Sequence, residues 1–295
     1  MKAFSSSVSR CVRTGAYALL CLCAMALAAT PVLAQNGGSD VTQQLKQAYS
    51  EGMNAAKQDD YQTAYTQLER AHALAQEAEQ SGAANQILSF LQKLPKRWGN
   101  AALKAKNYPE ALTHFEKGQE HAPRDAYMLY GQGLALVNLD STDTAMSVMS
   151  QSIEVGQANG DTRTANLATE RIRDEYVSRA SKALSANAPT QANADTALDA
   201  LDAMREYVDP SAKSLFYRAL ALEIKGEPQQ AIEVAQRGLE MHRGSRSDEA
   251  KYHFVVAESQ MRLGNTQQAC QTFQEAAYGD YKARSEHYLE NECSN

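Results

Sequence analysis

Histidine and cysteine are the side chains with the widest chemical reach, and this chain of 295 residues spreads them thinly. The histidines are His72, His114, His121, His242, His253 and His287. A zinc site takes four ligands drawn from histidine nitrogen, cysteine sulfur and carboxylate oxygen, or three and a water. Only His114 and His121 share a helical face, seven residues apart, and no third histidine or cysteine stands near them in sequence. Glu69, Glu116, Glu154 and Glu240 fall on outward helical positions, where a carboxylate is solvated. The chain has no glycine-rich phosphate loop, no G-x-S-x-G elbow and no H-E-x-x-H pair. The residue types for acid–base, nucleophilic or metal chemistry are present but not assembled. The sequence therefore predicts no enzyme, no cofactor and no metal site.

What the cysteines do depends on where the chain resides. Residues 1–34 have the layout of a secretory signal: Lys2, Arg10 and Arg13 lead, and an apolar stretch follows over 15–29. Val32-Leu33-Ala34 then offers small residues for cleavage. The apolar stretch is shorter than the roughly 20 residues that span a bilayer. Cys21 and Cys23 each follow a leucine, so neither fits a lipoprotein signal. The expectation is a mature chain that begins at Gln35 and resides in the periplasm. The alternative is an extracellular location or peripheral attachment to the outer membrane. Of five cysteines, Cys270 and Cys293 remain after cleavage. An even number in an oxidising compartment favours a disulfide over two free thiols. The leader holds three of the 29 basic residues and none of the 35 acidic ones, so the net charge passes from −6 to −9. Such a surface repels nucleic-acid phosphates and offers little to anionic lipid.

The elements that must position these residues form a recurring frame. Ala, Gln, Glu and Leu dominate, which favours helix. NYPEALTHFEKG at 107–118 recurs as DYQTAYTQLERA at 60–71, STDTAMSVMSQS at 141–152, NADTALDALDAM at 193–204, EPQQAIEVAQRG at 227–238 and NTQQACQTFQEA at 265–276. The fifth residue is always alanine: Ala64, Ala111, Ala145, Ala197, Ala231 and Ala269. The separations are 47, 34, 52, 34 and 38 residues, or 34 with insertions. Twelve residues before the marker stands Gly52, Gly99, Gly133, Ala219 or Ala257 in five copies; four after it stands Leu68, Phe115, Met149, Leu201 or Phe273. Small residues let a neighbouring helix approach, and the large one fills the space between. Short polar turns at 58–60, 105–107, 139–141, 225–227 and 263–265 separate two helices in each copy. Pro95 is expected to interrupt the first helix of the second copy, and SANAPTQANAD to form a loop in the fourth.

A 34-residue helix–turn–helix with small residues near positions 8 and 20, an aromatic near 24, Ala at 27 and Pro at 32 resembles the tetratricopeptide repeat. The resemblance covers most of residues 41–279. It implies an all-α chain, a right-handed α-solenoid of about six helix pairs over 35–279. A capping helix would occupy 280–295, its polar side formed by Lys282, Arg284, Glu286 and Glu290. Linking Cys270 to Cys293 would pin that cap to the last repeat.

In this family the first helices line a concave binding surface. Carried over by position, Tyr49, Met53, Lys93, Lys96, Asn100, Tyr127, Tyr130, Phe216 and Phe254 line a peptide-binding groove. Lys96 and Asn100 have the spacing of the family's carboxylate clamp, but Leu134 stands where the clamp needs a second Asn. The resemblance therefore implies a non-catalytic scaffold for a protein or an extended peptide. The alternative is a structural subunit of an envelope assembly that docks through its convex face or ends. No nucleic acid and no transmembrane segment in the mature chain are expected.

Overall fold

The computed structural model describes residues 40–293. The leader expected at 1–34 lies outside them. The described residues form thirteen α-helices and one short 3-10 turn. They run in pairs: α1 (Asp40–Lys57) with α2 (Tyr61–Glu77), α3 (Ser81–Lys104) with α4 (Tyr108–His121), and α5 (Ala126–Asn138) with α6 (Thr142–Asn159). Then follow α7 (Thr162–Ala183) with α8 (Gln191–Met204), α9 (Ala212–Lys225) with α10 (Pro228–Met241), and α11 (Arg246–Arg262) with α12 (Thr266–Ala276). The 3-10 turn at Gly279–Tyr281 leads into α13 (Lys282–Asn291). The chain divides into two compact units, one ending at Pro95 and one beginning at Lys96.

The recurring frame is the packing rule of both units. All six marker alanines are completely buried. In the first unit, a Cβ on Gly52 of α1 would lie 2.8 Å from Leu68 of α2, so only glycine lets the two helices meet there. In the second unit each helix from α4 to α13 packs on the next. The first helices α5, α7, α9 and α11 also touch one another in succession, which makes a continuous row of them.

One turn closes five of the pairs. Asp59, Lys106, Asp140, Gly226 and Gly264 take positive φ at the middle of the polar triplets. The next residue's N–H then reaches back five residues, as from Asp60 to Ala55 and from Asn265 to Gln260. Gly226 and Gly264 adopt that backbone without strain; the other three carry a cost of about 1 kcal/mol or more. Pro109 and Pro228 sit in the first turn of α4 and α10, where no N–H bond is lost.

The departures from 34-residue spacing lengthen helices more than loops. Helix α3 has 24 residues and α7 has 22, against 13 in α5 and 14 in α9. Pro95 does not end α3, contrary to expectation. Its missing N–H costs one bond, and the burial of Leu91 and Trp98 on either side offsets that loss. The expected loop in the fourth pair is also shorter. QANAD belongs to α8, which begins at Gln191 behind a capping box formed by Thr190 and Asn193.

The last pair ends in an aromatic stack. Tyr288 of α13 lies 4.4 Å from Phe273 with nearly parallel rings, and Tyr281 lies 5.1 Å from Phe254. Cys270 and Cys293 stand as a bonded pair with Cα atoms 5.7 Å apart, so α12 and the end of α13 are held side by side.

Candidate functional site

The N-terminal turn of α5 carries the densest polar and aromatic cluster among the first helices. Asp125 caps α5 by accepting from the Tyr127 N–H at 3.0 Å. Its other oxygen lies 2.6 Å from Lys96 Nζ of α3. The same ammonium stands 5.3 Å above the Tyr127 ring. The Tyr127 hydroxyl donates to Asn100 Oδ1 at 3.0 Å. One cap residue thereby orients a lysine, an asparagine and a tyrosine into a single shelf.

Tyr130, one turn further along α5, extends that shelf. Its ring lies 6.0 Å from Tyr127 and is half-buried. Burial pushes the Tyr130 phenol above its ordinary pKa, while the nearby Arg171 of α7 pulls the other way. Arg171 Nε is buried without a hydrogen-bond partner among the described residues. Beneath the shelf, Phe115 of α4 meets Tyr127 edge to face at 6.4 Å. Both Gly99 and Gly131 face Phe115, and a Cβ on Gly99 would lie 2.7 Å from the ring. The rings are exposed enough to receive an apolar side chain, and the hydroxyl, amide and guanidinium groups around them can hydrogen-bond a backbone.

The nine residues expected to line a groove divide into three groups. Lys96, Asn100, Tyr127 and Tyr130 come together on α3 and α5. Tyr49, Met53 and Lys93 belong to the first unit, where Tyr49 packs 6.3 Å from Phe90 and its phenol is pushed up by burial. Met53 is half-buried and Lys93 exposed. Phe216 and Phe254 do not line a groove: they are 7% and 1% exposed. Phe216 packs on Tyr217 and Tyr252, and Phe254 on Phe273, Tyr281 and Tyr288. The next first helix, or α13, covers each ring. Lys96 is committed to Asp125 and Asn100 to Tyr127, so neither is a free clamp residue.

Asp125 and Arg171 were missed in sequence. Asp125 precedes a helical run and has the signature of an N-cap, a signal that was available. Arg171 had none, because its place depends on the lengthened α7. Arg284 also departs from expectation: its guanidinium lies 4.2 Å over Phe254 and reaches Glu258.

Residues 96–162 and 190–246 match the family profile described as tetratricopeptide repeat. No curated protein sequence matches the chain. Among solved structures it is similar to MamA, residues 41 to the end, from Desulfovibrio magneticus RS-1, at 18% identity and a TM-score of 0.35, covering 66% of this chain and 96% of that one. A tetratricopeptide repeat protein from Parabacteroides merdae ATCC 43184 is similar at 12% identity and a TM-score of 0.31, over 84% and 98% of the two chains. The TPR domain of P58(IPK) is similar at 12% identity and a TM-score of 0.29, over 86% and 68%. The segments at 96–162, from within α3 through α6, and at 190–246, α8 through α10, are tetratricopeptide repeats.

Proposed function

We propose that the chain is a non-catalytic periplasmic scaffold that binds an extended peptide segment of a partner protein across the first helices α3, α5 and α7. The fold supports protein–protein interaction as the general role. The observation that carries the finer reading is the shelf of Tyr127 and Tyr130, half-buried and flanked by the unpartnered Arg171 Nε. Two neighbouring tyrosines, tilted at 59° to one another, give contact area at low entropic cost, and the Tyr130 hydroxyl and the Asn100 amide N–H can hydrogen-bond a peptide backbone. The leader at 1–34 and the pairing of Cys270 with Cys293 support an oxidising compartment.

The test is a peptide array probed with the mature chain. Tyr130→Ala should lower retained binding by about tenfold or more, as truncation of a central aromatic does. Equal binding by Tyr130→Ala and the parent chain would remove the shelf from the proposal. An assembly role through the outer face has one supporting observation. Arg205, Arg218 and Arg237 surround a cavity of about 290 Å³ between α8, α9 and α10. Co-purification of an envelope partner that tolerates Tyr130→Ala but not Arg237→Glu would favour that role.

A further inference from the structure

At the other end of the first-helix row, two carboxylates and two guanidiniums meet around a cavity. Glu223, near the end of α9, is buried, and Arg262 Nε of α11 stands 2.6 Å from its Oε1. Glu258, one turn before Arg262, accepts from the Tyr288 hydroxyl at 3.1 Å and from Arg284 Nη2 at 3.4 Å. The cavity measures about 470 Å³. Its remaining walls are mostly apolar: Leu220 and Ile224 of α9, Met261 of α11, and Ala186 and Pro189 from the loop before α8.

Burial separates the two kinds of charge. The Glu223 and Glu258 side chains are 7% and 15% exposed, but those of Arg262 and Arg284 are 51% and 60% exposed. An arriving ligand therefore meets guanidinium N–H groups, with the carboxylates behind them. Each guanidinium has five donors, and the carboxylates use Nε of Arg262 and Nη2 of Arg284. The others remain for a ligand. Stacking on Phe254 and the bonds to Glu223 and Glu258 hold both groups in place, so binding need not order them first. Burial also pushes Glu258 up to about 7 and raises Glu223 in the same direction, which leaves the cluster more positive than four opposed charges would be.

We propose that this cavity binds a carboxylate carried on a short apolar body, with Arg262 and Arg284 taking the carboxylate and the apolar walls taking the body. Bidentate guanidinium–carboxylate geometry suits the first part, and a site of this size encloses a group of one or two residues. The carboxylate comes either from the end of a polypeptide with an apolar last residue or from a free branched-chain acid. A cationic ligand fits poorly, because both carboxylates lie behind the arginines. The cavity shares no residue with the tyrosine shelf, so either reading can fail without the other.

Calorimetric titration of the mature chain tests it with three probes: N-acetyl-Ala-Ala-Leu, the same peptide as its C-terminal amide, and 4-methylpentanoate. At least one carboxylate probe should bind, and the amide should bind at least tenfold more weakly than its acid. Tighter binding of the peptide assigns the site to a chain terminus; equal or tighter binding of 4-methylpentanoate assigns it to a free acid. Arg284→Gln and Arg262→Gln should each weaken binding by about 10- to 100-fold, the effect of one charged hydrogen bond. Ala186→Trp, at an exposed loop position, should block the cavity and leave the charged groups intact. Melting curves identify any variant that fails to fold. Failure of both carboxylates to bind the parent chain, equal binding of amide and acid, or undiminished binding by Ala186→Trp would overturn the proposal.

Discussion

At Tyr127 the aromatic rings lie half inside and the charges outside; at Glu258 the carboxylates lie inside and the guanidiniums outside. Both places belong to the second unit and both stand on first helices. What differs is the neighbour. Helix α5 is followed in the row by α7, whose Arg171 approaches Tyr130. Helix α11 is followed by the lone α13, which brings Arg284 and Tyr288 against Glu258. One row of small-and-large packing thus presents an aromatic shelf where a full pair follows and a charged cavity where only a cap follows. Under the two proposals above, the first is suited to shape and backbone and the second to charge.

The largest effect should come from removing what the shelf stands on. Phe115 is fully buried between Gly99 and Gly131, and Tyr127 rests on its edge. Phe115→Ala should destabilise the second unit by about 3–5 kcal/mol, since the helices on either side cannot close the space. Urea unfolding measures this. A loss below about 1 kcal/mol would mean that the shelf does not depend on its aromatic wedge.

The corresponding support at the other end is covalent. Cys270 and Cys293 are 23 residues apart in sequence. Closing a loop of that size restricts the unfolded chain by roughly 3 kcal/mol in the chain-entropy model. Cys293→Ser should lower the unfolding free energy by up to that amount. It should also speed amide exchange in α13 more than in α5. Equal acceleration in both helices would mean that the bond does not act locally on the cap.

A third experiment contrasts the two regions through pH. Glu258 has a folded pKa of about 7 against an ordinary value of 4.5, with burial the main cause and Glu223 adding to it. Arg284, the Tyr288 hydroxyl and Arg262 act in the opposite direction. A raised carboxyl contributes stability that is fully present below the unfolded value and is lost as pH rises through the folded one. Between about pH 4.5 and 7 this group alone should remove up to ~1.4 kcal/mol per pH unit. Glu258→Gln keeps an acceptor for Tyr288 and should flatten that slope, read from urea midpoints across the range. An unchanged slope would place the titration elsewhere.

Much of this was legible in the sequence, and the reason is periodicity. The marker alanines and the large residue four positions later fix which face of each helix is buried, and they do so from one helix alone. The turn triplets were legible for the same reason. Less legible was anything that depends on the following helix. Phe216 and Phe254 occupy positions that face the first-helix row, but Tyr252 covers one and Tyr281 and Tyr288 cover the other. Register gives the direction of a side chain; it does not say whether a partner some thirty residues away fills the space in front of it. Arg284 shows the same limit from the other side. On its own helix it reads as a solvated cap residue, and only Phe254 and Glu258 give it a second role. Pro95 departs from the local rule that proline stops a helix, and the buried Leu91 and Trp98 on either side of it belong to the same helix.

The smallest effect should be at Lys96, and it is the finest probe of the difference between the regions. Its ammonium lies 2.6 Å from Asp125, and the two side chains are 37% and 22% exposed. A pair that wet gains little Coulomb energy over water and is screened by salt. Arg262 and Glu223 are also 2.6 Å apart, but there the carboxylate is 7% exposed. Removing the cation there leaves a buried carboxylate without its partner, which costs far more than the pair itself contributes. Lys96→Gln should therefore change stability by less than about 1 kcal/mol, and added salt should abolish the difference. Arg262→Met should cost more and remain costly in salt. If the two substitutions cost the same at high ionic strength, the contrast drawn from burial is wrong, and the shelf and the cavity are one kind of surface.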